Sequence, residues 1–180
     1  MTGPPGTGKS TLADSAASEL GAAVLAWDWV MAALTGFEEL QEPITKMEPA
    51  RHREVGWAVL FHLTRAQLQR GRSVVLDGVA HEREVRQARA IADELGSHLA
   101  VVLTHCSDPE VHRQLVEGRQ RRIPGWYELE WERVRRSLDA WDPPPSAHLV
   151  LDAADPLASN TEALRALIAA APSDAPTPQS

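Results

Sequence analysis

The run Gly3-Pro4-Pro5-Gly6-Thr7-Gly8-Lys9-Ser10-Thr11 fits the phosphate-binding pattern G-x-x-x-x-G-K-[ST] at every fixed position. Gly3, Gly6 and Gly8 allow the backbone to close into a nest whose N–H groups converge on anionic oxygens, with Thr7 and Thr11 completing the cradle. Lys9 is long enough to reach the outer phosphates, and the Ser10 hydroxyl at this spacing is a magnesium ligand. The ligand this chemistry suits is a nucleoside triphosphate, ATP with Mg2+.

Two aspartates and a group of arginines supply what phosphoryl transfer would further need. Asp77 ends the apolar run Val74-Val75-Leu76 and is placed to hold magnesium opposite Ser10; capping the turn at Asp77-Gly78 is its alternative role. Asp28 ends an earlier apolar run, where a carboxylate could accept the proton of an attacking hydroxyl or cap the helix that follows. Arg119, Arg121 and Arg122 lie beside Pro124 and Gly125 and suggest a basic flap over the triphosphate. The competing reading is a solvated charged face. Of the three, Arg119 is the one assigned to catalysis and Arg122 to nucleotide binding. Arg83 and Arg86 suit the surface better than an anionic acceptor. Trp27, Trp29, Trp57 and Trp126 lie near the expected site edges, whereas Trp131 and Trp141 read as core.

These residues need a scaffold, and the hydrophobic pattern supplies one. Residues 12–20 have helical spacing and stop at Gly21, so the loop opens a helix. Residues 22–27 read as a strand ending at Asp28, followed by a helix over 29–34. Residues 37–49 mix acids and prolines and read as a mobile connection. A long helix over 51–70 then precedes a strand over 73–77 and a helix over 82–95. A strand over 98–104 leads to a helix opened by Asp108 as cap and Pro109 at its first position. Trp131, Val134, Leu138 and Trp141 form an apolar helical stripe. A last strand over 148–151 and a helix capped by Ser159 or Asn160 complete a nucleotide-binding domain of residues 1–170, with 171–180 as a disordered tail. Strands separated by helices imply an α/β three-layer sandwich with a parallel sheet, its ligands beyond the carboxyl ends of the strands.

The chain has 180 residues, enough for one domain with a proper core, and a formal net charge of −7. That charge offers no broad attraction to long nucleic acid or an anionic membrane. Cys106 is the single cysteine, so no internal disulfide is available. No signal peptide or spanning apolar run is present, and the expected location is the cytoplasm. The histidines show no zinc-type spacing.

With loop, aspartates and flap in that order, the chain resembles the small P-loop kinases grouped around polynucleotide kinase, chloramphenicol phosphotransferase and the zeta toxins. It is most similar to their bacterial relatives described as AAA-type ATP-binding proteins. The resemblance runs from Gly3 to about Ile168, with residues 3–11 as its specific part. It implies that Asp28 is the base that activates the acceptor, that Asp77 closes the Walker B strand, and that Arg119 belongs to the lid. Met31 stands where polynucleotide kinases tend to have arginine, and Gln114 where the lid helix often carries one. Ala26 and Trp29 lack the second aspartate of shikimate kinases. Gly78 replaces the glutamate of AAA+ motors. The implied function is transfer of the γ-phosphoryl of ATP to a hydroxyl of a small molecule, with no particular oligomeric state implied. An ATPase without an organic acceptor and a nucleotide-binding regulatory module are the alternatives.

One element is out of place. A phosphate loop of this kind leaves a buried hydrophobic strand, yet only Met1 and Thr2 precede Gly3. The first strand is therefore expected to be missing or truncated, and the natural reading frame to start upstream. Its neighbours would be left with unsatisfied backbone groups at about 1–3 kcal/mol each.

Overall fold

Short β-branched runs bounded by glycine and polar residues alternate with longer helical stretches, and the chain folds accordingly. The structure is a computed structural model that describes residues 1–139 and 141–171. In chain order the elements are α1 (Lys9–Leu20), β1 (Ala23–Ala26), α2 (Trp27–Thr35), α3 (Glu38–Thr45), α4 (Pro49–Leu68) and β2 (Val74–Asp77). There follow α5 (Glu82–Glu94), β3 (Val102–His105), α6 (Pro109–Glu117), α7 (Trp131–Asp139), β4 (Leu149–Asp152) and α8 (Leu157–Ala169).

The strands pair in parallel, β1 with β2 from Ala23↔Val74 to Ala26↔Asp77, and β3 with β4 from Val102↔Leu149 to His105↔Asp152. Between these two pairs lie Met1 and Thr2. The Met1 amino group donates to the Leu76 carbonyl at 2.8 Å. The Thr2 N–H donates to Val102 O and the Thr104 N–H to Thr2 O, each at 2.8 Å. Read across, the order is β1, β2, the Met1–Thr2 stub, β3, β4. At the place of the expected first strand, Met1 and Thr2 join the two pairs through these backbone bonds.

Side-chain alternation along each strand builds a layer on either face. Val75, Val102 and Leu151 point to one side, against Leu12, Ala13 and Ala16 of α1 and Leu164 of α8. Leu76 and Val101 point to the other, against Trp57 and Leu60 of α4 and Val85 of α5. Each fully buried aliphatic side chain of this kind contributes about 1.5–3 kcal/mol. No described helix is long and apolar enough to cross a membrane.

Several boundaries differ from expectation. Residues 37–49 are not a loose connection: α3 forms there and buries Ile44 to 4 % exposure. β1 stops at Ala26, so Asp28 sits in the first turn of α2 rather than at a strand end. Trp27 causes the early turn, because it packs on Gly56 of α4 and donates from Nε1 to Arg53 O at 3.2 Å. β3 begins only at Val102. α8 starts at Leu157 rather than behind a Ser159 or Asn160 cap, and Asn160 instead donates from Nδ2 to Asp152 O at 2.7 Å. Asp108 caps α6 as expected, accepting from the N–H groups of Glu110 and Val111. The tail expected over 171–180 lies, from residue 172 onward, outside the described residues.

Candidate active site

The loop between the stub and α1 is shaped by three glycines with φ values that only glycine adopts readily, Gly3 at 147°, Gly6 at 83° and Gly8 at 78°. Two of them are also crowded. A Cβ on Gly3 would overlap the Thr104 carbonyl oxygen, and one on Gly6 would overlap Val116 of α6. At Gly8, the residue before α1, a Cβ would meet nothing within 4 Å, so that edge of the loop is open.

Buried side chains pin the loop from beneath. Thr7 is 1 % exposed; its hydroxyl donates to Pro4 O at 2.8 Å and lies 2.6 Å from the Thr104 hydroxyl. His112 of α6 is buried, with Nε2 2.8 Å from Pro5 O and its ring edge-on to Trp131 at 5.3 Å. Thr7 therefore acts as a strut of the cradle, and His112 is a support that nothing in its sequence neighbourhood announces. Thr11 is exposed.

Lys9 is 7 % exposed and donates from Nζ to Pro4 O at 2.7 Å. Burial lowers its pKa to about 8, against the opposing pull of Asp77 and Asp28. Asp77, also 7 % exposed, stands at the carboxyl end of β2 as expected. Its charge acts on both Lys9 and the Met1 amino group. Residue 78 is tightly packed, because a Cβ there would meet Trp27 and Trp57 at 3.0 Å. Ser10 presents a hydroxyl and Asp77 a carboxylate, which fits a magnesium ion that takes its remaining ligands from phosphate and water. No cluster of three or more metal-binding side chains exists among the described residues.

The segment after α6 closes the cleft. Arg119 donates from Nη2 to Ser10 Oγ at 3.0 Å. Arg121, whose side chain is 5 % exposed, donates from Nη1 to Asp28 Oδ2 at 2.8 Å and from Nη2 to Tyr127 O. Its Nε has no hydrogen-bond partner and lies 3.9 Å from Glu128 Oε2. Trp126 donates from Nε1 to the other Asp28 oxygen at 3.2 Å. With both oxygens of Asp28 accepting from this segment, its carboxylate faces the segment after α6 rather than the backbone of α2.

The structure thus gathers Lys9, Ser10, Asp77, Asp28 and Arg119 around one cleft. Arg122 is exposed, in left-handed backbone at φ 53°, and engages Glu128 only through its N–H. Arg121 takes the buried position in its place, a choice that spacing among three near-adjacent arginines does not reveal. Trp126 and Trp27 border the site with ring centroids 6.3 Å apart. Trp57 belongs to the core, Trp29 is 55 % exposed, and Trp131 is half-buried beside His112. Arg83 and Arg86 form surface ion pairs with Glu54 and Glu82.

The family model for an AAA domain matches residues 1–144. Comparison with curated proteins finds no match. Among solved structures, a gluconokinase from Sinorhizobium meliloti 1021 is similar at TM-score 0.64 and 20% identity, covering 93% of this chain and 89% of its own. A sugar kinase from Janibacter sp. HTCC2649 is similar at TM-score 0.61 and 20% identity, covering 93% and 90%. A shikimate kinase from Bacteroides thetaiotaomicron is similar at TM-score 0.61 and 16% identity, covering 93% and 96%. At these identities the structural likeness speaks to fold. The chain belongs to the AAA domain family matched over its first four-fifths, and its fold is that of the small P-loop kinases.

Proposed function

We propose that this protein is a kinase that transfers the γ-phosphoryl group of ATP to a hydroxyl of a small molecule. One observation carries the reading: two arginines of a single segment reach opposite walls of the same cleft, Arg119 to Ser10 of the phosphate loop and Arg121 to Asp28. A nucleotide on the loop and an acceptor at Asp28 would therefore meet beneath one lid.

The loop N–H groups and Lys9 would bind the β and γ phosphates, Lys9 exchanging the Pro4 carbonyl for a phosphate oxygen. Ser10 and Asp77 would hold magnesium, which when bound neutralises charge on the phosphates. Arg121 gives up Asp28 as the acceptor arrives, and Asp28 takes the hydroxyl proton. The acceptor oxygen bonds to the γ phosphorus while the bond from that phosphorus to the β–γ bridging oxygen breaks, leaving ADP. Arg119, next to Ser10, offsets the charge that develops, and the closed segment keeps water from competing as acceptor.

The test is Asp28→Asn, which keeps shape and loses the base. Labelled phosphate from Mg-ATP should pass to a hydroxyl compound from a sugar and polyol panel in the native protein. In the variant this transfer should fall about 10²- to 10⁴-fold, with the ATP-induced thermal shift retained. Phosphate release to water that ignores both panel and substitution would instead support an ATPase. A thermal shift without turnover would leave a nucleotide-binding module.

A further inference from the structure

The phosphate loop and both ends of the segment that closes the cleft come together at His112. The ring is buried on α6, and its Nε2 lies 2.8 Å from Pro5 O. A carbonyl oxygen only accepts, so Nε2 carries a proton and donates. Val116, four residues on and so on the same face of α6, fills the space that a Cβ on Gly6 would need, and His112 Nε2 stands 3.3 Å from that same point. The crest of the loop is thus seated on α6 by one hydrogen bond and one apolar contact.

The same ring meets α7. Trp131, the first residue of that helix, packs on it edge-on, with centroids 5.3 Å apart and planes at 75°. Residues 118–130, which join α6 to α7, carry Arg119 to Ser10 and both Arg121 and Trp126 to Asp28. One end of this segment leaves the helix that bears His112, and the other returns beside the His112 ring. Within 118–130 only Ile123 is buried. A segment with so little core of its own takes its position from its two ends.

Close-packed groups do not deform continuously, so a movement of Pro5 has to be followed by the His112 ring or cost the hydrogen bond between them. We propose that His112 is a positioning residue for phosphoryl transfer. Through Pro5 it follows the phosphate loop, and through α6 and Trp131 it sets both ends of residues 118–130, so that a nucleotide on the loop places Arg119 and Arg121 over the cleft. The proposal rests on the kinase reading only for nucleotide binding at the loop, and no acceptor enters its test.

The experiment follows tryptic cleavage after Arg119, Arg121 and Arg122, with and without a saturating magnesium complex of the β,γ-imido analogue of ATP, beside calorimetric affinity for that nucleotide. In the native protein the nucleotide should slow cleavage by about tenfold or more, because cutting tracks the open population. Trp131→Leu leaves the Pro5 bond in place; it should bind the nucleotide within about threefold of the native protein yet keep less than about twofold protection. His112→Leu should lose protection likewise. His112→Gln, whose amide N–H can still donate to Pro5 O, should regain about half of it or more. A residue that merely filled space would tolerate Leu better than Gln, so His112→Leu protected better than His112→Gln would overturn the proposal. Full protection in Trp131→Leu would do the same, as would a native segment cut equally fast with the nucleotide bound. A native protein that binds no nucleotide would instead sink the kinase reading, and the coupling with it. Should His112→Leu not fold, Trp131→Leu and His112→Gln decide the question.

Discussion

Arg121 spans the cleft to Asp28 at 2.8 Å and keeps only 5 % of its side chain exposed, whereas Asp28 keeps 39 %. The arginine is therefore committed to the closed arrangement, and the carboxylate is still reachable from solvent. Arg119, two residues earlier, is committed to the other wall at Ser10.

This division predicts two distinct kinetic signatures. Arg119→Ala should lower kcat by about 10²- to 10³-fold, the loss of one donor at developing charge. Arg121→Ala should act mainly on the acceptor, changing its KM while the KM for ATP stays within about twofold, because its partner is Asp28 and not the loop. Steady-state kinetics with each substrate varied in turn separates the two; identical profiles for both variants would refute the division of labour.

Lys9 carries a cost in the nucleotide-free chain. Its pKa falls from 10.5 to about 8 through burial, which corresponds to about 3 kcal/mol of unfavourable burial of the charged form at neutral pH. Lys9→Met should therefore leave the nucleotide-free protein at least as stable as the native one in a thermal melt, despite the lost bond to Pro4. The same variant should lose the ATP-induced shift. A clear drop in Tm without nucleotide would show that the lysine supports the fold and not only the ligand.

Gly78 tests packing against chemistry. Gly78→Glu would install the carboxylate that follows the strand-end aspartate in motor ATPases, but the new Cβ meets Trp27 and Trp57 at 3.0 Å. The expected result is destabilisation by about 1–3 kcal/mol from overpacking, measured by chemical denaturation, with no gain in phosphate release to water. Gly78→Ala should already cost a large part of this, since the contact begins at Cβ.

Asp152 should mark the acid limb of stability. Burial alone would raise its pKa, but hydrogen bonds from the Ser107 and Ala154 N–H groups, at 3.0 and 2.9 Å, outweigh that and hold it at about 2. A carboxyl held below its unfolded value stabilises the fold above about pH 4 and loses that contribution as pH falls toward 2. Asp152→Asn should thus be less stable than the native chain at pH 6, with the gap closing between pH 4 and 2. A pH-independent gap in denaturation midpoints would assign the effect to geometry instead of charge.

The phosphate loop, the helix it opens, Asp77 at a strand end and the Asp108-Pro109 cap were all legible in the residues themselves. Each is a local device: glycine conformations, hydrogen bonds reaching two or three residues, and an apolar run that has to be buried. Residues 37–49 were not legible, because α3 exists by burying Ile44 against the rest of the fold while its own composition, with Pro43 inside, argues for a loop. The boundary at Asp28 was misjudged for a similar reason, since Trp27 leaves the strand to pack on Gly56, a residue 29 positions away.

What the sequence alone determined is the chemistry at the loop, because a nest, a lysine and a hydroxyl at fixed spacing need no distant partner to be recognised. Only the tertiary structure decided which arginine faces Asp28, that His112 and Thr104 brace the loop, and that Met1 and Thr2 lie between β2 and β3. Those relationships join positions about a hundred residues apart, and they arise from sheet order and helix packing, which local spacing does not encode.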